Sequence, residues 1–256
     1  MGQAILSAVL SKGLSTPEKI TISDINDARL KQLKQDFNVN ITGDNLEATA
    51  RGDIVVLAIK PQSLADVMAE LNGQLKPNQL VLSIIAGKSI AALQQGLRYK
   101  AIVRAMPNTP AQIGKGITVW TATAEVTEQQ KGSVSSILGA MGKEIYVADE
   151  QYIDMATAVS GSGPAYVFLF MESLINAALD IGLSPDIARE LVLQTVMGSV
   201  EYARRSGKDL AQLRKMVTSP GGTTAEAIKV FENGQFSELV RQAVSAAKDR
   251  AKQLGD

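Results

Sequence analysis

Through the first 148 residues, short apolar runs alternate with single helical patterns. "KITIS" is followed by "NDARLKQLKQDF", "DIVVLAI" by "SLADVMAELNGQL", and "QLVLSII" by "SIAALQQGL". "AIVRAM" and "ITVW" precede "TEQQKGSVSSILGAMG", and "KEIYVA" closes the stretch. Near-continuous Val/Ile/Leu runs, with no polar alternation, are the mark of strands buried on both faces. Spacers of one helix each let such strands run parallel. The expectation is a doubly wound α/β domain over residues 1–148, with a parallel sheet covered by helices on both sides.

After Asp149 the strands stop, and residues 149–256 read as an all-α domain. Its helices are punctuated by "SGSGP", "IGLSP", "RRSGKD", "TSPGGTT" and "ENGQ". In "SPDIARELV", Ser184 is placed to cap a helix, with Pro185 in its first position and Asp186 in its first turn. Leu191, Val192, Leu193, Val196, Met197 and Val200 make that helix apolar around much of its circumference. A helix with so little polar face needs cover, either from its own chain or from a second copy, and a homodimer interface is expected. Between Met155 and Ile181 the charges are Glu172 and Asp180. The run is long enough to span a bilayer, but Gly161, Gly163 and Pro164 interrupt it and Glu172 sits inside it, so a buried helix or helix pair is expected there.

Composition limits the chemistry. Lys plus Arg equals Asp plus Glu at 26 each, so no basic field exists to hold nucleic acid or an anionic membrane. The chain has neither Cys nor His. A thiolate nucleophile, an imidazole base and an ordinary zinc site are therefore excluded, and no metal is expected. The lack of Cys and of a secretory pattern fits a reducing, cytoplasmic setting.

The front of the chain opens directly in a helix, "GQAILSAVLS", with Ile5, Leu6, Val9 and Leu10 at helical spacing. "KITIS" follows, and Asp24 stands at its end. In a Rossmann-like unit a Gly-rich turn presents a helix N-terminus to the pyrophosphate, and an acidic residue about 20 positions on binds the ribose 2′-OH. Gly2 suits the last glycine of such a turn. Equally, Asp24-Ile25-Asn26-Asp27 could do no more than cap the next helix.

"LAIKPQ" (57–62), "RAMPNTP" (104–110), "SGSGPAYVF" (160–168) and "VTSPGGTTAEAI" (217–228) occur in this order. Together they resemble the pyrroline-5-carboxylate reductases, and the resemblance runs the length of the chain. It implies NADPH- or NADH-dependent reduction of 1-pyrroline-5-carboxylate to L-proline, on a homodimer joined through the helical domain and open to assembly into a larger ring. Family members begin with a strand and a turn like F-I-G-G-G-N before M-G-x-A. Against that pattern this sequence starts at an internal Met, so the first, central strand and the opening glycines are expected to be absent.

The resemblance also assigns residues. Gly2, Asp24, Asn45, Ala58, Lys60, Pro61, Ala86 and Asn108 would contact the cofactor. Ser219, Gly222, Thr223 and Thr224 would hold the substrate carboxylate. Glu150 would lie near the substrate, and Thr157 would hydrogen-bond the ring nitrogen and help deliver the proton. From the residues alone, Thr223 with Glu226 three positions on reads as an N-cap and capping box, and the glycines around Ser160 and Ser162 as a kink or helix restart. Asp24 favours NADH, or use of both coenzymes, because a carboxylate accepts from a 2′-OH and repels a 2′-phosphate. Two other functions stand beside this one. A non-catalytic remnant would dimerise without holding cofactor. A related hydroxy- or keto-acid reductase would place a Lys on an apolar helix face near a Gly-rich kink, which this helical domain lacks.

Overall fold

The computed structural model describes residues 1–254. Two compact units emerge: Met1–Ser162 with Ala247 onward, and Gly163–Ala246. The first begins with α1 (Gly2–Ser11), β1 (Thr21–Ser23), α2 (Asp27–Phe37), β2 (Asn40–Thr42), α3 (Asn45–Arg51) and β3 (Ile54–Leu57). It continues through α4 (Leu64–Leu71), β4 (Leu80–Ser83), α5 (Ile90–Leu97), β5 (Ile102–Met106) and β6 (Gly116–Ala122). It closes with α6 (Glu128–Ala140), β7 (Gly142–Tyr146) and α7 (Gln151–Ala156). Strands therefore end where the sequence pattern ends them, and α7 is grouped with the sheet unit, which runs to Ser162.

The strands form two sheets. β1 and β2 pair in parallel, and the order β3-β4-β5-β6-β7 makes the second sheet. One pairing departs from the expected pattern: β6 runs antiparallel to β5, with Val103 opposite Ala122 and Met106 opposite Val119. The link between them holds only a 3₁₀ turn, Thr109–Ile113, and a parallel return needs a crossover of a dozen or more residues. α6 supplies such a crossover, and β7 accordingly lies parallel to β6.

β4 shows why its run is apolar without alternation. Leu80 and Leu82 face a cluster with Ile5 and Val9 of α1 and with Val134 and Leu138 of α6. Val81 faces the opposite cluster, with Leu64 and Leu71 of α4 and Leu93 and Leu97 of α5. Both faces of the strand are dry, and each fully buried Leu or Val there contributes roughly 1.5–3 kcal/mol.

The second unit holds α8 (Gly163–Asp180), α9 (Pro185–Ser206), α10 (Leu210–Met216), α11 (Thr223–Asn233) and the start of α12 (Phe236–Gln253). α8 and α9 pack on each other. Pro185 opens α9 behind Ser184 as read from the sequence, although the Ser184 side chain makes no capping bond. α8 contains no buried residue, which corrects the expectation of a buried helix. Within the helical run Gln151–Asp180 the most apolar 18-residue window has mean hydropathy 1.2, and only 6% of that window is buried. α9, with the ring contact of Phe170 to Phe236, does not cover the whole circumference of this apolar helix.

Candidate active site

α1 starts at Gly2, and no side chain caps it. A Cβ on Gly2 would stand 3.3 Å from the Cβ of Ala58, just past β3, so the missing side chain is what lets the helix start approach the strand end. The N–H groups of that first turn and the helix dipole favour an anion at the C-terminal edge of the sheet. β3, β4 and β5 are mutually parallel, so their C-terminal ends share that edge. Ala58, Lys60 and Pro61 follow β3, Ala86 follows β4 and Asn108 follows β5. The side chain of Asn108 is engaged in holding the loop: its Oδ1 accepts the Ile117 N–H at 3.0 Å.

At the end of β1, Asp24 Oδ1 accepts the Asn26 N–H at 2.9 Å, and Asn26 Oδ1 accepts that of Arg29 at 3.0 Å. Asn26, not Asp24, is therefore the cap of α2. The Ser23 hydroxyl donates to Asn45 Oδ1 at 2.8 Å, and Asn45 Nδ2 donates to Glu70 Oε2 at 2.6 Å. The structure thus brings Asp24 and Asn45 to one strand end, with Ser23 and Glu70 as partners that the sequence does not announce. These residues fit a dinucleotide: a bare helix start for the pyrophosphate and a carboxylate at the end of β1 for the ribose.

α7 and its continuation carry Glu150 and Thr157. The kink read at "SGSGP" is a turn of π-helix, Thr157–Gly161, in which the Ser162 N–H reaches Thr157 O at 2.8 Å. Such turns recur at functional sites because they re-aim side chains. The Thr157 hydroxyl donates to Ile153 O at 2.8 Å. A hydroxyl carries one proton, so what Thr157 Oγ1 has left to offer is lone pairs. Glu150 is not a solvated acid. Its Oε1 accepts from Arg104 Nη1 at 2.7 Å and from the Ile90 N–H, the first of α5, at 2.8 Å. Arg104 Nη2 donates to Asp154 Oδ1 at 2.6 Å. The sequence signal for Arg104 was a charge in mid-strand, between Val103 and Ala105.

In the second unit, Ser219, Gly222, Thr223 and Thr224 surround the start of α11. Gly221 has φ +68°, and the Gly222 N–H closes the bend onto Ser219 O at 3.1 Å. A Cβ on Gly222 would lie 2.6 Å from Ser219 Oγ and 3.2 Å from Ser219 O, so a larger residue there would have to displace the Ser219 side chain. This bend corrects the expected capping box. Gly222 takes the N-cap position, Thr223 is already helical, and no side chain caps α11. The N–H groups of its first turn are thereby left for an anion such as a carboxylate.

A doubly wound domain with a bare helix start at its strand ends, followed by a helical unit, defines a two-domain nucleotide-dependent oxidoreductase. The family model described as NADP oxidoreductase, coenzyme F420-dependent, matches residues 1–87, and that for pyrroline-5-carboxylate reductase dimerisation matches residues 150–254. The chain is 39% identical to the pyrroline-5-carboxylate reductase of Synechocystis sp., across 100% of this chain and 95% of that one. The solved structure of such a reductase from Coxiella burnetii is 38% identical, with TM-score 0.90 over 100% of this chain and 95% of that one. The Plasmodium falciparum pyrroline carboxylate reductase, solved with NADP bound, is 33% identical with TM-score 0.91 over the same shares. The chain belongs to the pyrroline-5-carboxylate reductase family.

Proposed function

We propose that this protein reduces 1-pyrroline-5-carboxylate to L-proline with NADPH or NADH, the last step of proline biosynthesis, as a homodimer formed through its helical unit. Full-length similarity to reductases of that name supports the reaction. The observation that carries it in the structure is the uncapped start of α11 behind the Ser219–Gly222 bend. It offers backbone N–H groups to a carboxylate without a competing side chain. Thr223 and Thr224 stand in its first turn, where their hydroxyls add to that grip.

The residues divide the work. Gly2 and Ala58 hold the coenzyme pyrophosphate at the start of α1, Asp24 and Asn45 take the adenosine ribose, and Lys60, Pro61, Ala86 and Asn108 line its path along the strand ends. When bound, the reduced nicotinamide supplies a hydride to the imine carbon of the substrate. Thr157 receives the ring nitrogen. Because its proton is given to Ile153 O, its hydroxyl accepts from a substrate N–H, so the substrate enters already protonated as an iminium. Orientation of the two reactants is the main contribution of the protein, which explains how a chain without His or Cys suffices. The apolar residues that α9 leaves exposed, Leu191, Leu193, Met197 and Val200, fit the contact with a second copy, and several dimers could close into a ring.

Oxidation of NADH and NADPH with pyrroline-5-carboxylate tests the reading. Turnover with this imine, and none with 2-keto acids, is expected, with KM for NADH no higher than that for NADPH. A strong preference for NADPH removes Asp24 from the ribose. Absence of turnover by the folded chain with NADH and NADPH both supplied overturns the function in favour of a non-catalytic dimer.

A further inference from the structure

Arg104 is charged, sits in the middle of β5 and is only 3% exposed. Burying a guanidinium is costly unless it is paired, and a buried pair is poor evidence for stability in itself. Its two partners are spaced in a telling way. Glu150 and Asp154 lie four residues apart and Thr157 three further on, so all three share one face of α7 and its extension. The flat fork of Arg104 reaches one carboxylate with each Nη, at 2.7 and 2.6 Å. Glu150 in turn ties this face to the first N–H of α5. Beyond Thr157, β5 meets the same segment again: a Cβ on Gly161 would stand 3.0 Å from Met106 Cε, two residues along the strand from Arg104. Thr157 is therefore bracketed between two attachments to a single strand.

We infer that Arg104 is a positioning residue: by gripping Glu150 and Asp154 it sets the rotation of α7 about its axis and so fixes where Thr157 Oγ1 points. This rests on the role of Thr157 in imine reduction given above. Lysine at position 104 keeps the charge but, as a point donor, cannot hold two carboxylates one turn apart in a fixed plane. Asp154→Asn takes the charge from one arm of the grip while keeping its shape, which weakens that contact.

The test compares Arg104→Lys and Asp154→Asn, alone and combined with Thr157→Val, in the full chain. Each single variant is expected to lower kcat by about 10–100-fold, as small misplacements do, with KM for the coenzyme unchanged. In the Thr157→Val background, neither change lowers kcat further by more than about twofold, because the position they set no longer matters. Hydrogen exchange across residues 151–162 reads the same point without turnover: Arg104→Lys speeds it while exchange in β4 stays as it was. Losses that multiply in the double variants, or unchanged exchange in 151–162, overturn the inference. If Thr157→Val leaves kcat intact, the role of Thr157 and this inference fall together. If the unsubstituted chain does not reduce the imine, the proposed reaction fails while the exchange result still decides what Arg104 holds.

Discussion

The two units manage apolar surface in opposite ways. The sheet unit encloses its own: Leu82, Leu93, Ile102, Val134 and Leu138 are all fully buried. Among the described residues of the helical unit, the buried apolar side chains are Ala188 and Val192, while Phe168, Leu169, Met197 and Val230 are each more than half exposed. A monomeric protein seldom leaves this much apolar surface open. The contrast teaches that one unit closes most of its core within its own chain while the other leaves its apolar faces open, which agrees with the dimerisation family model that covers it.

Three substitutions press on this comparison. Leu138→Ala opens a cavity in a closed core and should cost about 2–5 kcal/mol, seen as a lower midpoint in urea. A loss under about 1 kcal/mol would mean the sheet unit is looser than its burial implies. Met197→Asp, on a face exposed in one chain, should cost the isolated chain little yet shift sedimentation from dimer toward monomer and make Tm less dependent on protein concentration. An unchanged dimer would place the contact elsewhere on the helical unit. The smallest effect belongs to the site. Thr224→Ala should raise KM for pyrroline-5-carboxylate by several-fold, about 1 kcal/mol for a lost hydrogen bond, with a smaller change in KM for the coenzyme. Equal changes in both would remove α11 from carboxylate binding.

Much of the fold could be read before any coordinates. The strands of the sheet unit, the helical second half, Pro185 opening α9 and the disturbance at "SGSGP" all follow from local pattern, because period, caps and breakers are properties of a few neighbouring residues. Other features escaped for reasons that are equally physical. The reversal of β6 depends on how a short link packs, not on how the strand itself reads. Gly222 displaces Thr223 from the cap because Gly221 adopts a positive φ that a residue string permits without dictating. The candidate site divides along the same line. Motifs named Thr157 and the α11 start, but neither showed that Thr157 gives its proton to Ile153 O.

By itself the sequence determined the class of fold, the absence of thiol and imidazole chemistry, and the motifs that carry the family resemblance. All of these are set by residue type and spacing along the chain. Only the tertiary structure decided that Glu150 and Asp154 close on Arg104, that Asn45 is held between Ser23 and Glu70, and that the helical unit leaves its apolar faces open. Those outcomes depend on partners 20 to 50 residues away in the chain, brought together by packing that no local pattern encodes.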